Sequence, residues 1–147
     1  MELKEALKDF NIFSLNDVEK IDKTFYRSRL NEWQDKGYIK KVIKGFYIFN
    51  DVSIDEDVLY EIGNKIYSPS YISLEKALSY YHLIPESVYE ITSVTTRTTR
   101  LLKTPIASFS YRSIKPDFYF GYKIVNYDNK GYLIAEIEKT ILDLTPI

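Results

Sequence analysis

Apolar residues recur every three or four positions in the first 37 residues, which predicts three short helices. The first helix runs from Glu2 to Phe10, and the second begins after the N-cap residue Ser14, with Asp17 in its first turn. A third helix is predicted to begin at Asp22, which caps it, and to end at Gly37. The residues expected to face inward are Leu3, Ala6, Leu7 and Phe10 in the first helix, Leu15, Val18 and Ile21 in the second, and Tyr26, Leu30 and Trp33 in the third.

After Gly37 the pattern changes to β-branched and aromatic residues interrupted by lysines. Residues 38–43 and 46–49 predict two strands, and Lys44-Gly45 predicts the turn between them, because glycine accepts a positive φ without steric cost. Three helices followed directly by a hairpin predict a winged helix-turn-helix over residues 1–53, with the third helix placed to enter the major groove of DNA.

Residues 54–147 predict a second domain of the α+β class. Its acidic start, Asp55 to Asp57, suits either a metal site or a helix N-terminus, and the helix is favoured because carboxylates stabilise that end of a helix. A further helix is predicted after Ser73, and a mainly antiparallel sheet from Val88 onward. The remaining expectations are strands at 109–111, 118–120 and 122–125, and a closing helix, Glu136 to Leu144, with Ile137, Ile141 and Leu144 facing inward.

Composition narrows the class of protein. A hydrophobic content of 45% in 147 residues argues against disorder, and the absence of cysteine excludes disulfides and thiolate zinc sites. The sequence has neither an apolar run long enough for a membrane span nor a signal-peptide pattern at its start. We therefore expect a cytoplasmic protein without membrane contact.

Charge is distributed unevenly along the chain. The formal net charge is −1, yet Lys23 to Gly45 holds seven basic and two acidic residues, a local charge of +5. Affinity for DNA depends on the phosphates neutralised locally, so this segment favours DNA binding. Lysines on an edge strand also prevent aggregation, and arginines on a helix can simply be solvated. The candidate base contacts are Thr24, Arg27, Ser28 and Asn31, and the candidate phosphate contacts are Lys23, Arg29, Lys40, Lys41 and Lys44.

A second basic segment, the repeat TTRTTR from Thr95 to Arg100, lies in the second domain. It predicts a strand end at which Arg97 and Arg100 could contact phosphate or RNA. The same residues are also typical of an exposed strand without a binding role, and this interpretation is favoured.

Three segments resemble the AbiEi-type antitoxins of type IV toxin–antitoxin systems, a family that also includes transcriptional regulators. Residues 29–49 are similar to its basic wing, with Gly37, Lys41, Gly45 and Tyr47 matching. Residues 71–86 are similar to its Tyr-Ile-Ser helix. Residues 135–144 are similar to its Ala-x-x-Glu-Lys-x-x-x-Asp segment, matched at Ala135, Glu138, Lys139 and Asp143.

The resemblance implies a winged-helix repressor of its own operon that binds promoter repeats in double-stranded DNA. It also implies an antitoxin that neutralises a nucleotidyltransferase-like toxin without stable contact. Family members commonly continue with further helices beyond the third segment, so the second domain is expected to be shorter than theirs.

Two other functions compete with DNA-dependent repression. The tyrosine-rich second domain could bind a partner or self-associate, since aromatic residues are enriched at interfaces. A metal-dependent nuclease would use Glu136, Glu138, Lys139 and Asp143, but their spacing lacks the acid-x-Lys arrangement of restriction-type nucleases. We therefore expect no enzymatic activity, no catalytic residues, no metal and no cofactor, and the sequence leaves the oligomeric state open.

Overall fold

The structure, a computed structural model, describes residues 2–7, 10–85, 90–128 and 130–145. The chain divides into two compact units, Met1–Ile54 (unit 1) and Asp55–Ile147 (unit 2). This division lies one residue from the boundary expected from the sequence. The side chain of Leu3 and residues 86–89, where the sheet was expected to begin, lie outside what the structure describes.

Unit 1 combines three helices with a small antiparallel sheet. Its elements in chain order are α1 (Glu2–Ala6), β1 (Phe13–Ser14), α2 (Leu15–Ile21), α3 (Ser28–Asp35), β2 (Ile39–Ile43) and β3 (Phe46–Phe49). The strands are arranged in the order β1-β3-β2, and both pairings are antiparallel. One buried cluster joins the elements, and it comprises Leu7, Phe13, Val18, Phe25, Leu30, Trp33, Ile39 and Phe49.

The predicted start of α2 is confirmed. Ser14 is the N-cap, and its hydroxyl accepts a hydrogen bond from the Asp17 N–H at 3.3 Å, while the Ser14 N–H donates to the Asp17 carboxylate at 2.8 Å. This reciprocal pair is a capping box. The inward orientation expected for Ala6, Phe10 and Ile21 is wrong, because all three side chains are exposed.

The predicted start of α3 is also wrong. Asp22 ends α2 as its C-cap, and α3 begins at Ser28 instead. Because the intervening segment is not helical, Tyr26 does not follow the helical spacing and is 75% exposed. Phe25 takes its place in the core, and its ring lies edge-on to that of Trp33 with the centroids 5.3 Å apart.

Unit 2 contains a six-stranded sheet. Its elements in chain order are α4 (Glu56–Ile66), β4 (Ser70–Ile72), α5 (Leu74–Tyr80), β5 (Glu90–Thr95), β6 (Arg100–Lys103), β7 (Ser108–Ser113), a 3-10 turn (Pro116–Phe118), β8 (Tyr122–Tyr127), β9 (Lys130–Ala135) and α6 (Ile137–Asp143). The strand order is β6-β7-β5-β4-β9-β8. Three of the five pairings are antiparallel, so the expectation of a mainly antiparallel sheet in an α+β domain is confirmed.

Helices cover both faces of this sheet. Tyr71 and Ile72 are neighbours on β4, so their side chains point to opposite faces. Ile72 lies beside Gly63 of α4, whereas Tyr71 donates a hydrogen bond to Asp143 of α6. The helix α5 packs on the Tyr71 face, where the backbone N–H of Lys76 donates to the Thr92 hydroxyl.

The acidic start of unit 2 is a helix N-terminus, as predicted. Asp55 is the N-cap of α4 and accepts a hydrogen bond from the Val58 N–H at 2.9 Å. The strand predicted at residues 118–120 is wrong. Pro116 instead opens a 3-10 turn there, and Gly121 adopts a φ of +76°, which no regular strand contains.

The orientation predicted for α6 is inverted for two of its three apolar residues. Ile137 and Ile141 are exposed, and Leu142 beside them is exposed as well. The buried residues of this helix are Lys139, Thr140 and Asp143. Only Leu144, just after the helix, packs against the core as expected. A helix that turns its polar face inward needs polar partners inside, and Tyr71 and Ser73 supply them.

No helix in the described ranges has the length and apolarity needed to cross a bilayer; the longest, α4, has 11 residues.

Burial raises the pKa of several tyrosines in unit 2 above the ordinary value of 10.0. For Tyr71 and Tyr60 the neighbouring carboxylates of Asp143 and Glu56 add to the effect of burial. For Tyr111 burial is the main cause, and for Tyr132 hydrogen bonds add to it. In each case the neutral phenol is the form that the folded protein stabilises.

We expect the free energy of unfolding of unit 2 to fall as the pH rises above 10. The folded pKa values lie above those of the unfolded chain, so their contribution is complete below pH 10 and is lost above it. Each such tyrosine removes about 1.4 kcal/mol per pH unit in that window. Urea unfolding followed by near-ultraviolet circular dichroism measures this, because only Tyr26, Tyr38 and Tyr47 lie in unit 1, leaving 11 of the 14 tyrosines in unit 2. Equal midpoints at pH 9 and pH 11 would contradict it.

Candidate nucleic-acid interface

The end of α3 fixes how the chain enters the hairpin. Gly37 has a φ of +76°, its N–H donates to the Gln34 carbonyl at 3.0 Å, and the Tyr38 N–H donates to the Trp33 carbonyl at 2.9 Å. This pair of bonds is a Schellman motif, which satisfies carbonyls that the helix end would leave unpaired. The helix and the hairpin therefore leave Gly37 in defined directions.

The outward side of α3 carries polar residues. Arg27, at the N-cap position, and Ser28 and Asn31 in the first turns are all exposed. Glu32 and Asp35 are exposed further along the same helix. The N-terminal half of α3 therefore presents donors and acceptors, while its C-terminal half presents carboxylates.

Thr24 does not lie on α3, as the sequence predicted, but in the turn that precedes it. Its hydroxyl donates to Oδ1 of Asp22 at 2.6 Å and its N–H donates to the same atom at 3.0 Å. These two bonds lower the pKa of Asp22 and fix the turn. Lys23, beside them, is exposed.

Arg29 differs from the other basic residues of this segment. Its side chain is half-buried, and its guanidinium carbon lies 5.0 Å from the centroid of the Phe25 ring and 5.6 Å from that of Trp33. Cation–π contacts of this kind hold the side chain against the core. Arg29 therefore covers aromatic surface in addition to carrying charge.

The hairpin exposes its three lysines. Val42 has no partner in the register of β2 with β3, which marks a bulge between Lys41 and Ile43. Both Lys40 and Lys41 are exposed, whereas Val42 is buried. With Ile39 buried, strict alternation would turn Val42 outward, so the bulge explains why Val42 is buried directly after two exposed lysines. Lys44 is exposed in the turn, where Gly45 has a φ of +90°.

Arg97 and Arg100 do not lie on one strand, because Arg97 lies on the loop after β5 and Arg100 on the next strand. Thr95 ends β5, residues 96–99 form the connection, and Arg100 begins β6. Both Arg97 and Arg100 are exposed, and both guanidinium groups lie over the ring of Tyr67. Sequence reasoning missed Tyr67, because it is 30 residues away from Arg97 and no periodicity connects them.

The residues that a nuclease would need do not form one site. Glu136, the N-cap residue of α6, and Glu138 are exposed, whereas Lys139 and Asp143 are buried. Among the described residues, no group of three or more histidine, aspartate or glutamate side chains could hold a metal ion.

Lys139 and Asp143 belong to a buried hydrogen-bonded network instead. Lys139 forms an ion pair with Asp143 and donates to the Tyr71 hydroxyl at 3.0 Å. The hydroxyls of Tyr71 and Ser73 both donate to Oδ2 of Asp143, at 2.9 and 2.7 Å. The second and third segments that carry the family resemblance thus meet at this network, which gives those residues a structural role.

We expect Lys139→Met to destabilise unit 2 by about 3–5 kcal/mol, because it leaves the Asp143 carboxylate buried without its cation. Urea unfolding followed by near-ultraviolet circular dichroism measures the loss. Lys115→Met, at an exposed position, serves as the matched control and should change stability by less than about 0.5 kcal/mol. Wild-type stability in Lys139→Met would show that the pair contributes nothing.

No protein-family model and no curated protein matches this sequence.

Proposed function

We propose that the chain is a sequence-specific DNA-binding transcriptional repressor in which unit 1 is a winged helix-turn-helix. The observation that carries the proposal is that one small core holds both α3, which exposes polar donors in its first turns, and a hairpin that exposes lysines. The element order of helix, strand, two helices and hairpin supports it.

The proposed base contacts lie at the beginning of α3. The N-terminal residues of a recognition helix are the ones that contact base edges. Arg27 can donate two hydrogen bonds to guanine, and Asn31 can bond adenine in the same bidentate manner. Ser28 is exposed between them, and Thr24 adds a hydroxyl from the preceding turn. The carboxylates of Glu32 and Asp35 lie in the C-terminal half of α3, where they would be repelled by phosphates. This is consistent with the N-terminal half being the part that enters the groove.

The proposed phosphate contacts are Lys23, Lys40, Lys41 and Lys44. All four are exposed, and each would release counterions from the DNA on binding, which gives affinity without sequence preference. Arg29 is the weakest of the five phosphate contacts predicted from the sequence, because its guanidinium already lies over the rings of Phe25 and Trp33.

The resemblance to the AbiEi-type antitoxins supports two biological roles for the proposed repressor. It supports autoregulation of a type IV toxin–antitoxin operon through promoter repeats. It also supports an antitoxin role against a nucleotidyltransferase-like toxin without stable contact between the two proteins. A gene for such a toxin beside the gene for this chain would favour both roles.

Wild type is expected to prefer the upstream promoter region of its own operon to a scrambled duplex. In Arg27→Ala/Asn31→Ala this difference in binding free energy should fall by about 2–6 kcal/mol, because each bidentate contact contributes about 1–3 kcal/mol. Fluorescence anisotropy with both duplexes at one fixed salt concentration measures the difference. Both residues are exposed, so the variant should fold normally. An unchanged preference for the promoter in this variant would show that Arg27 and Asn31 of α3 do not determine sequence specificity.

The wing provides a contrasting variant for the same experiment. Lys41→Ala/Lys44→Ala should weaken binding to both duplexes alike and lower the slope of log affinity against log salt by about 2. Lys123→Ala/Lys130→Ala removes the same charge from unit 2 and serves as the control. Equal slopes for the two double variants would mean that the wing does not contact phosphate.

A second candidate function is protein interaction through unit 2, favoured by the exposed apolar residues Ile137, Ile141 and Leu142 on α6. This candidate predicts that the chain sediments as more than a monomer at micromolar concentration and that Ile141→Lys restores the monomer. This candidate would be excluded if the wild-type chain is a monomer and does not bind the protein encoded by the neighbouring gene in a pull-down.

A further inference from the structure

A second basic surface lies in unit 2. The segment Thr95–Lys115 holds five basic residues and no acidic one, so its local charge of +5 equals that of the segment Lys23–Gly45. It forms the loop after β5 and the hairpin of β6 and β7 at one edge of the sheet. The exposed basic residues are Arg97, Arg100, Lys103 and Lys115.

Tyr67 holds two of these charges in place. The guanidinium carbon of Arg97 lies 4.0 Å from the centroid of the Tyr67 ring, and that of Arg100 lies 5.8 Å from it. The ring of Tyr67 also contacts that of Tyr111, with the centroids 4.8 Å apart. Its hydroxyl donates to the carbonyl of Thr98 at 2.8 Å, which fixes the loop that carries the arginines. Tyr67 is only 4% exposed.

The charges of Arg97 and Arg100 are not neutralised within the described residues. No ion pair there joins either arginine to a carboxylate, and the hydrogen bond of Arg97 goes to the Ser68 carbonyl. That bond uses one N–H of Arg97, and a guanidinium has five N–H donors in a planar fork that matches two oxygens of a phosphate.

Protection of a sheet edge explains exposed charge but not this arrangement. A strand edge is protected by any charged side chain, in any position. Arg97, held by the Tyr67 ring and the Ser68 carbonyl, loses less side-chain entropy when it binds an anion than a free arginine does, and Arg100 lies over the same ring. The fixed positions therefore favour recognition of a polyanion.

We propose that Arg97 and Arg100 bind backbone phosphates of the same duplex that unit 1 is proposed to read. This inference rests on the proposed function and adds a sequence-independent contact from unit 2. Because both surfaces belong to one chain, a contact made by unit 2 raises the effective concentration of unit 1 at the DNA.

The experiment measures the affinity of the full chain for the promoter duplex by anisotropy over a series of potassium chloride concentrations. Arg97→Ala/Arg100→Ala should lower the slope of log affinity against log salt by about 2, since each phosphate contact contributes about 0.9. Lys123→Ala/Lys130→Ala, which removes the same charge near the opposite edge, should keep the wild-type slope. Circular dichroism confirms that each variant is folded.

A conservative variant tests whether geometry matters beyond charge. Arg97→Lys/Arg100→Lys keeps both charges but loses the planar edge, so its affinity should fall at least threefold relative to wild type at the same salt concentration. Affinity equal to wild type in this variant would overturn the role of the fixed guanidinium groups.

The outcomes separate this inference from the proposed function. An unchanged salt slope in Arg97→Ala/Arg100→Ala, together with lost discrimination in Arg27→Ala/Asn31→Ala, would overturn the inference alone. The reverse pattern would overturn the reading role of α3 and support the arginine pair. A single-stranded RNA of equal length that binds more tightly than the duplex, and loses this affinity in Arg97→Ala/Arg100→Ala, would assign the pair to RNA and overturn the duplex assignment. Absence of any duplex binding by wild type would overturn both.

Discussion

The left-handed backbone of Gly37 is the constraint on which the arrangement of unit 1 depends. A Cβ placed there would meet no atom within 4 Å, so the requirement for glycine arises from its φ of +76° and not from crowding. Such a conformation costs an ordinary L-residue about 1–2 kcal/mol. In return, the reversal places Trp33 and Ile39 in the same buried cluster within six residues of each other. The helix that exposes Arg27 and the strand that exposes Lys41 are thereby joined without a flexible connection.

Much of unit 1 could be predicted because its signals are local. The Ser14 cap, the glycine at the end of α3 and the turn at Lys44-Gly45 each depend on residues within five positions of one another. The errors occurred where two local explanations competed. Asp22 can cap a helix, but it can equally accept hydrogen bonds from Thr24 and so end the preceding helix, and the structure adopts the second option. That choice moved Tyr26 out of the core.

Unit 2 was predictable in its class but less so in its details. The apolar residues of α6 follow helical spacing, and the usual inference is that such a stripe faces inward. Here the buried ion pair of Lys139 and Asp143 turns the polar side of α6 inward, because Tyr71 and Ser73 donate to Asp143 there. These partners lie about 70 residues earlier in the chain. The platform that Tyr67 forms under Arg97 likewise joins distant residues. Local pattern contains no information about either contact, so the candidate site in unit 2 required coordinates.

The inverted orientation of α6 also has a consequence for local dynamics. Most helices bury apolar surface, so denaturant promotes their detachment in proportion to the surface released. Detachment of α6 would break the ion pair of Lys139 and Asp143 and uncover Tyr71, but it would release little further apolar surface from Ile137, Ile141 and Leu142, which already contact solvent. The amide hydrogens of this seven-residue helix should therefore exchange through a local opening that urea accelerates less than it accelerates exchange in the central strands.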